Sequence, residues 1–161
     1  MTEGRARTVT EMLLDGVNHV AIITNDSERL HRFYEDVFDA TVSRDIEEQP
    51  GVRLSFVDIG PGRELNIFQV EGNTEADRQT PMFGRGRIDH LGLQAASKEA
   101  FDTIRERLMA NGATDGFVTD FGAILSVFFR DPDGLEGEVC VANPDAQPGV
   151  FHPPGTPAPG Y

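Results

Sequence analysis

The chain has 161 residues, with 27 acidic and 14 basic side chains and a formal net charge of −13 at pH 7. This length suits one domain with its own hydrophobic core. Because Lys and Arg form no cluster along the sequence, we expect neither nucleic acid nor an anionic membrane surface as a partner. The apolar runs are too short for a signal peptide or a membrane span, and the single cysteine cannot form an intrachain disulfide, so we predict a cytoplasmic protein.

Residues 16–70 predict the element order β-α-β-β-β. The apolar, β-branched run that opens this segment is typical of a strand, and "NDSERLHRFYEDVF" then combines helix-capping residues with apolar residues at helical spacing. Three strand-like segments follow. Residues 1–15 precede this module as an N-terminal extension, and the polar, turn-rich residues 71–87 follow it as a linker.

The same element order returns in residues 88–142. Shifting the sequence by 71 positions places "VNHVAII" on "IDHLGLQ" and Ser55 on Ser126, and one residue inserted after the next proline places "LNIFQV" on "GEVCVA". The chain therefore predicts two copies of one βαβββ module in a single α+β domain. Residues 143–161 form a Pro-rich tail that cannot hold a regular element.

In each module, the first and last strands place a polar residue on the face opposite the apolar, helix-facing residues. If the modules pair about a pseudo-twofold axis, these polar residues converge in a central cleft. The converging residues are His19, Asn66, His90 and Glu138. The residues expected to line the cleft beside them are Ile23, Phe68, Gln94 and Cys140.

Two imidazoles and one carboxylate form a ligand set that binds Fe, Zn, Ni, Co or Mn in sites with room for a substrate. A single histidine at the head of a strand is more often structural. The hypothesis of a divalent transition-metal site therefore depends on the repetition of His19 at His90, together with Glu138.

Some assignments stay open at this stage. Glu136 is a same-face rival of Glu138, and Glu64 replaces Asn66 if a one-residue bulge turns Glu64 inward. Cys140 is expected to be a small buried residue rather than a ligand. The two remaining histidines, expected at the surface, are His31 and His152.

The segments "NHVAIITNDSERLHRFYEDVF", "IDHLGLQ" and "FFRDPDGLEGEVC" resemble the vicinal oxygen chelate superfamily. That superfamily includes glyoxalase I, methylmalonyl-CoA epimerase, extradiol dioxygenases, fosfomycin-resistance proteins and bleomycin-binding proteins. The resemblance covers about residues 16–142 and implies an eight-stranded, partly open barrel around a metal, commonly in a homodimer. Carried over, the metal ligands fall on His19, His90 and Glu138, with Glu138 also in a catalytic role.

Two positions depart from the family pattern. Asp39 replaces the glycine usual after the first helix, and it tolerates the left-handed conformation needed there. Asn66 stands where glyoxalase I has a glutamate and the epimerases a glutamine. Because a carboxamide cannot accept a proton at neutral pH, glutathione-dependent glyoxalase I is disfavoured.

The resemblance implies a metal-dependent lyase or isomerase that acts on a small substrate with vicinal oxygens through Lewis-acid catalysis. An Fe(II) extradiol-type dioxygenase is the second enzymatic alternative. A non-catalytic ligand-binding protein of the bleomycin-resistance kind is the alternative from another class, although such proteins generally lack the metal ligands.

Overall fold

The computed structural model describes Leu13 and residues 16–78, 80, 83–84 and 88–161. Nearly all of the N-terminal extension and part of the linker therefore lie outside the described residues. The α+β class and the two βαβββ modules are confirmed. The first module consists of β1 His19–Thr24, α1 Ser27–Phe38, β2 Thr41–Gln49, β3 Val52–Gly60 and β4 Arg63–Val70. The second module consists of β5 Leu91–Gln94, α2 Lys98–Ala110, β6 Val118–Asp120, β7 Ile124–Arg130 and β8 Glu136–Ala142.

Each module forms its own four-stranded sheet. The strand orders are β1-β4-β3-β2 and β5-β8-β7-β6, so the first strand of each module lies beside its last strand. These two strands run parallel in both modules, whereas the other neighbours are antiparallel. Both sheets are open and are not joined into a closed barrel.

The helices cover the sheets and begin at side-chain caps. Asp26 accepts a hydrogen bond from the Arg29 N–H at 2.9 Å, and Ser97 caps α2 in the same way. α1 buries Tyr34 completely and ends at Asp39, whose φ of 53° is left-handed as predicted. Neither helix in the described part of the chain is long and apolar enough to cross a membrane.

The two modules share one hydrophobic core where α1 meets β7. The Phe129 ring lies 6.2 Å from that of Phe33 and 5.4 Å from that of Phe38, measured between centroids. An ion pair of 2.8 Å between Arg107 and Asp39 joins the two helices at the same joint. Burial of aromatic surface supplies most of the stabilisation there, because this ion pair is partly solvated.

The strand registers confirm the predicted correspondence between Asn66 and Glu138. Asn66 pairs with Phe56, and Glu138 pairs with Phe128. Each residue of the second pair lies 72 positions after its counterpart in the first. The two hairpins are therefore equivalent, and both polar residues occupy the same position on the last strand of their module.

The placement of Ser55 on Ser126 is wrong. At the structural offset of 72, Leu54 occupies the position of Ser126. The additional residue of the second module therefore precedes the β7–β8 hairpin, whereas the sequence comparison put it between β7 and β8. Ser55 consequently lies beneath α1, where it contacts His31, while Ser126 lies on the opposite face of its own sheet beside Glu138.

The tail, residues 143–161, lies along the edge of the second sheet. Pro157 forms a β-bridge with Thr119 in β6. The Lys98 ammonium of α2 lies 4.6 Å from the centroid of the Tyr161 ring, which fixes the end of the described chain against that helix.

Candidate metal site

The two faces of β1 differ as strand alternation predicts. Val20 and Ile22 pack against the hydrophobic core. His19 is exposed on the opposite face, and Ile23 on the same face is 43% exposed. We call this helix-free side of either sheet its cleft face.

His90 and Glu138 come together at the cleft face of the second sheet. His90 directly precedes β5, so its predicted position on that strand is off by one residue. Its Nε2 atom lies 3.3 Å from Oε2 of Glu138, and its Nδ1 atom lies 3.0 Å from Oδ2 of Asp89. The Phe128 ring contacts the imidazole edge-on at 5.7 Å between centroids. The ring is therefore held on three sides.

Ser126 holds the other oxygen of the Glu138 carboxylate. The Ser126 hydroxyl is completely buried and donates to Oε1 of Glu138 at 2.5 Å. Sequence analysis missed Ser126 because its contact with Glu138 depends on the β7–β8 register. Cys140, half-buried on the same face, has its thiol pKa raised to about 12 by burial and by the neighbouring Glu138 charge. Cys140 is thus a neutral thiol here, not a thiolate.

The hydrogen bonds around His90 fit a divalent metal. A carboxylate only accepts hydrogen bonds, so Nδ1–H donates to Asp89, which leaves Nε2, the ring nitrogen that faces Glu138, as the atom that would bind a metal. Metal bonds of about 2.0–2.2 Å at usual angles separate two ligand atoms by about 3.0–3.5 Å. The 3.3 Å between Nε2 and Oε2 lies within this range, so the pair fits two neighbouring ligands of one cation.

His19 does not join this pair within one chain. Among the described residues, ligand atoms of three His, Cys or acidic residues lie within 4.8 Å of one another only in a group that excludes His19. His19 instead lines a cavity of 340 Å³ with the four residues of β5, and Asn18 Oδ1 lies 2.9 Å from its Nδ1. One chain therefore forms only the His90–Glu138 half of the predicted ligand set.

Asn66 and Glu64 both lie on the cleft face of the first sheet. The β3–β4 register is continuous from Glu64 to Val70, so Glu64 needs no bulge to face the cleft. Glu64 pairs with His19 across the sheet, whereas Asn66 pairs with Ala21. Oδ1 of Asn66 is buried without a hydrogen-bond partner among the described residues, which leaves an acceptor available to a ligand.

The two other predicted cleft residues lie on β4 and β5. Phe68 is half-buried on β4, two residues after Asn66, and Gln94 is exposed at the end of β5. Glu136, the rival of Glu138, instead lies 3.3 Å from Nε of Arg130.

A second cluster lies beneath α1, on the opposite face of the first sheet. Glu28, His31 and Asp45 place ligand atoms within 4.8 Å of one another, which is close enough to hold a metal ion. The Arg53 guanidinium already contacts Glu28 at 2.6 Å and Asp45 at 2.5 Å, so a cationic side chain already pairs with both carboxylates. The cluster thereby fastens α1 to the β2–β3 hairpin.

The expected surface position of His31 is wrong. Its residue exposure is 5%, and its Nε2 lies 2.7 Å from the buried Ser55 hydroxyl. Helical spacing places it on the buried face of α1, three residues before Tyr34, whereas its polar partners come from β2 and β3. His152 is partly exposed in the tail, 3.3 Å from Asp120.

Comparisons with known proteins agree with this architecture. Residues 16–139 match the family model described as the Glyoxalase/Bleomycin resistance protein/Dioxygenase superfamily. A glyoxylase/bleomycin resistance protein/dioxygenase domain from Frankia sp. EAN1pec is 22% identical, with a TM-score of 0.67 over 81% of this chain and 94% of that chain. A glyoxalase family protein from Enterococcus faecalis is 24% identical, with a TM-score of 0.62 over 80% of this chain and 99% of that chain.

A third solved structure carries a metal. It is a mutant of the fosfomycin resistance protein FosX from Listeria monocytogenes, complexed with Mn(II) and 1S,2S-dihydroxypropylphosphonic acid. It is 21% identical, with a TM-score of 0.59 over 79% of this chain and 92% of that chain. At these identities the likeness shows a shared fold.

Proposed function

Because the chain belongs to the glyoxalase/bleomycin resistance protein/dioxygenase superfamily, we propose that it is a divalent-metal-dependent enzyme whose metal ligands are His19, His90 and Glu138. The observation that carries this proposal is the His90–Glu138 pair, with 3.3 Å between Nε2 and Oε2. The hydrogen bonds from Ser126 to Glu138 and from His90 to Asp89 hold both ligand atoms in place without a substrate.

A second copy of the chain supplies His19 in this proposal. His19 is exposed on the cleft face and lies apart from the His90–Glu138 pair in one chain. Exposed apolar side chains also occur just before β1 and β5, where Val17 is 63% and Ile88 is 80% exposed. Pairing of two cleft faces in a homodimer covers these side chains and brings His19 of one chain toward His90 of the other.

The substrate in this proposal is a small molecule with two neighbouring oxygens, and the reaction is of lyase or isomerase type. A divalent cation supplies Lewis-acid stabilisation of charge that develops on a substrate oxygen. Asn66 offers its unpartnered Oδ1 to a substrate hydroxyl, but its carboxamide cannot remove a proton. Glu64 is the cleft-face carboxylate beside His19, so it is the candidate general base.

Metal analysis of protein purified without chelator tests the proposal. We expect about one equivalent of a transition metal per chain, and loss of that metal in His90→Ala. His152→Ala is the matched control and is expected to keep the metal, because His152 lies in the tail. Retention in His31→Gln distinguishes the cleft from the Glu28, His31 and Asp45 cluster.

Other outcomes contradict particular parts of the proposal. Folded, metal-free wild-type protein would contradict the proposal of a metal-dependent enzyme and support a non-catalytic ligand-binding protein. Iron in the cleft, with oxygen uptake on addition of catechol, contradicts the lyase or isomerase assignment and supports a dioxygenase.

A further inference from the structure

We propose that Gly92 determines which substrates fit the metal site, because the space above this glycine accommodates an apolar substituent of the substrate. The inference rests on the proposed function and adds a substrate class to it. That class is a small molecule with vicinal oxygens and an uncharged aliphatic or aromatic group beside them. Gly92 is not a metal ligand, so its effect on substrate binding is separable from metal binding.

Three glycines lie within strands, and two of them have a reason inside the fold. None of the three has the left-handed φ that favours glycine. Glycine inside a strand lowers stability and typically marks a bulge or the close approach of another group. Gly60 ends β3 at a shift in the β3–β4 register, and a Cβ atom at Gly137 would overlap the ring of Phe129. Gly92 is the strand glycine without such a reason.

Neither the backbone nor the packing of one chain requires glycine at position 92. The β5–β8 register is continuous from Leu91 to Gln94, so β5 contains no bulge. A Cβ atom added to Gly92 would meet only Oε2 of Glu138, at 4.0 Å. A residue with a side chain would therefore fit the chain and would lose less conformational entropy on folding. The space above Gly92 is consequently open to a group that the chain itself does not supply.

This space adjoins the proposed metal site. Phe128 pairs with Glu138 from one neighbouring strand, and Gly92 pairs with it from the other. An aromatic residue thus flanks one side of Glu138, and the other side is left open. The first module repeats this arrangement, because Ala21 is the small residue that pairs with Asn66. A metal-dependent enzyme needs free space beside its metal ligands, so we assign the space to the substrate and not to a second chain.

The cavity beside Gly92 has a mainly apolar lining. Gly92 lines the same cavity of 340 Å³ as His19, and cavities of this size hold small ligands. The charged residues in its lining besides His19 are Arg63 and Glu64, which carry opposite charges. This composition favours an uncharged apolar group over a phosphate or a sugar. The apolar side chains of the lining are Val17, Val20, Ile59, Pro61, Leu91 and Leu93.

Two hydroxamates of different size test the role of Gly92. Hydroxamates chelate a metal through two neighbouring oxygens, and acetohydroxamate carries a methyl group where benzohydroxamate carries a phenyl ring. Calorimetry with the Zn²⁺-loaded wild type is expected to show tighter binding of benzohydroxamate. Gly92→Val should weaken benzohydroxamate binding by about 10–200-fold, the usual effect of a small change of fit in an apolar pocket. Its binding of acetohydroxamate should be nearly unchanged, and Gly92→Ala should show a smaller loss for benzohydroxamate.

The matched control is Ala142→Val, at an exposed position on the same face of β8 but outside the cavity. It is expected to bind both hydroxamates as the wild type does. In Gly92→Val, the Zn²⁺ affinity and the molecular mass in sedimentation should equal those of the wild type.

Each part of the inference fails by its own result. Equal losses for the two hydroxamates in Gly92→Val, or no loss for either, overturn the role of Gly92 even if Zn²⁺ binds. A changed molecular mass of Gly92→Val also overturns it, because the space then belongs to a second chain.

A wild type that binds no Zn²⁺ overturns the proposed function, and NMR of the metal-free protein then tests the cavity by itself. Benzyl alcohol should shift the amide signals of Val20, Leu91 and Leu93 in the wild type and not in Gly92→Val. The same shifts in both proteins, or no shifts in the wild type, overturn the inference.

Discussion

At the scale of single residues, the cleft face of the second sheet holds a continuous chain of polar contacts. Ser126 donates to Glu138, Glu138 faces His90, and His90 donates to Asp89. The Phe83 N–H completes the chain at the far oxygen of Asp89. Such a network fixes charged groups before any ligand arrives, which lowers the reorganisation that binding requires.

Asp131, in the turn before β8, gives the stability of the protein a pH dependence. Burial raises its carboxyl pKa from 3.8 to about 6, although the N–H groups of Asp133 and Leu135 stabilise the charged form. The native state therefore binds the proton more tightly than the unfolded state. This carboxyl destabilises the fold progressively as the pH rises from about 4 through about 6, by at most about 3 kcal/mol.

We expect Asp131→Asn to be more stable than the wild type at pH 8 and to lose most of this advantage at pH 4. The carboxamide cannot ionise, and its oxygen still accepts the two N–H groups. Urea unfolding at both pH values measures the difference. Asp36→Asn, an exposed change on α1, is the control. A stability difference that does not vary with pH would contradict the role of Asp131.

Repetition allowed the sequence to indicate His90 and Glu138 as candidates, because His19 recurs at His90 and Glu138 occupies the last-strand position that Asn66 occupies in the first module. The residues that orient them were not predictable in the same way. Ser126 reaches Glu138 only through the β7–β8 register. His31 lies on the apolar face of α1, so its burial had a local signal, but it reaches Ser55 only after α1 packs on β3, so its partner had none.

At the scale of elements, Gly137 determines how closely β8 approaches β7. A Cβ atom at this position would overlap the ring of Phe129. Phe129 also packs against Phe33 and Phe38, so it has little freedom to move away. The glycine thus allows one strand to pass beneath a ring that joins the two modules.

Gly137→Ala is expected to lower the free energy of unfolding by roughly 1–3 kcal/mol through this overpacking. Gly92→Ala on β5 is the matched control. Its new Cβ would meet only Oε2 of Glu138, at 4.0 Å, so we expect little loss of stability. Chemical denaturation of both variants measures the contrast. Equal destabilisation would show that the cost lies in the loss of glycine itself.

Element order and helix ends were predictable because their signals are local. Asp26 caps α1 with its own side chain, and Asp39 adopts the left-handed conformation that ends it. The position of the additional residue in the second module had no local sequence signal. Ser55 and Ser126 are the same residue type, yet the hydrogen-bond register places them on opposite faces of their sheets.

At the scale of the whole molecule, the proposed site draws on the cleft faces of both modules, and one chain does not bring the ligand atoms of His19, His90 and Glu138 within 4.8 Å of one another. Sequence patterns identified both faces, since alternation depends only on strand spacing. Their relative position depends on packing between modules, where Phe33, Phe38 and Phe129 join α1 to β7. No sequence comparison of two similar modules contains that information.

A mixed dimer tests whether the second chain completes the site. We expect His19→Ala and His90→Ala to be metal-free as separate homodimers. If ligands come from both chains, the mixed dimer contains one intact site and one doubly altered site, so it should recover about half of the wild-type metal. Dimers carrying two different affinity tags allow the mixed species to be isolated and its metal content measured.

A His90→Ala homodimer whose two chains carry the two different tags is the control for metal introduced during purification. Absence of metal from the heterodimer, with full metal in the wild type, would place both histidines of each site in one chain. A monomeric wild type that binds one equivalent would give the same answer.

X-ray absorption of the metal-loaded wild type tests most directly whether His19, His90 and Glu138 bind the metal. Multiple scattering from an imidazole ring distinguishes histidine from other ligands. We expect two imidazole nitrogens and carboxylate oxygen at about 2.0–2.2 Å from the metal, with no sulfur at about 2.3 Å. His19→Ala and His90→Ala should give no such spectrum because neither retains the metal, whereas His152→Ala should retain both imidazoles. A sulfur ligand, or a single imidazole in the wild type, would contradict a site made of His19, His90 and Glu138.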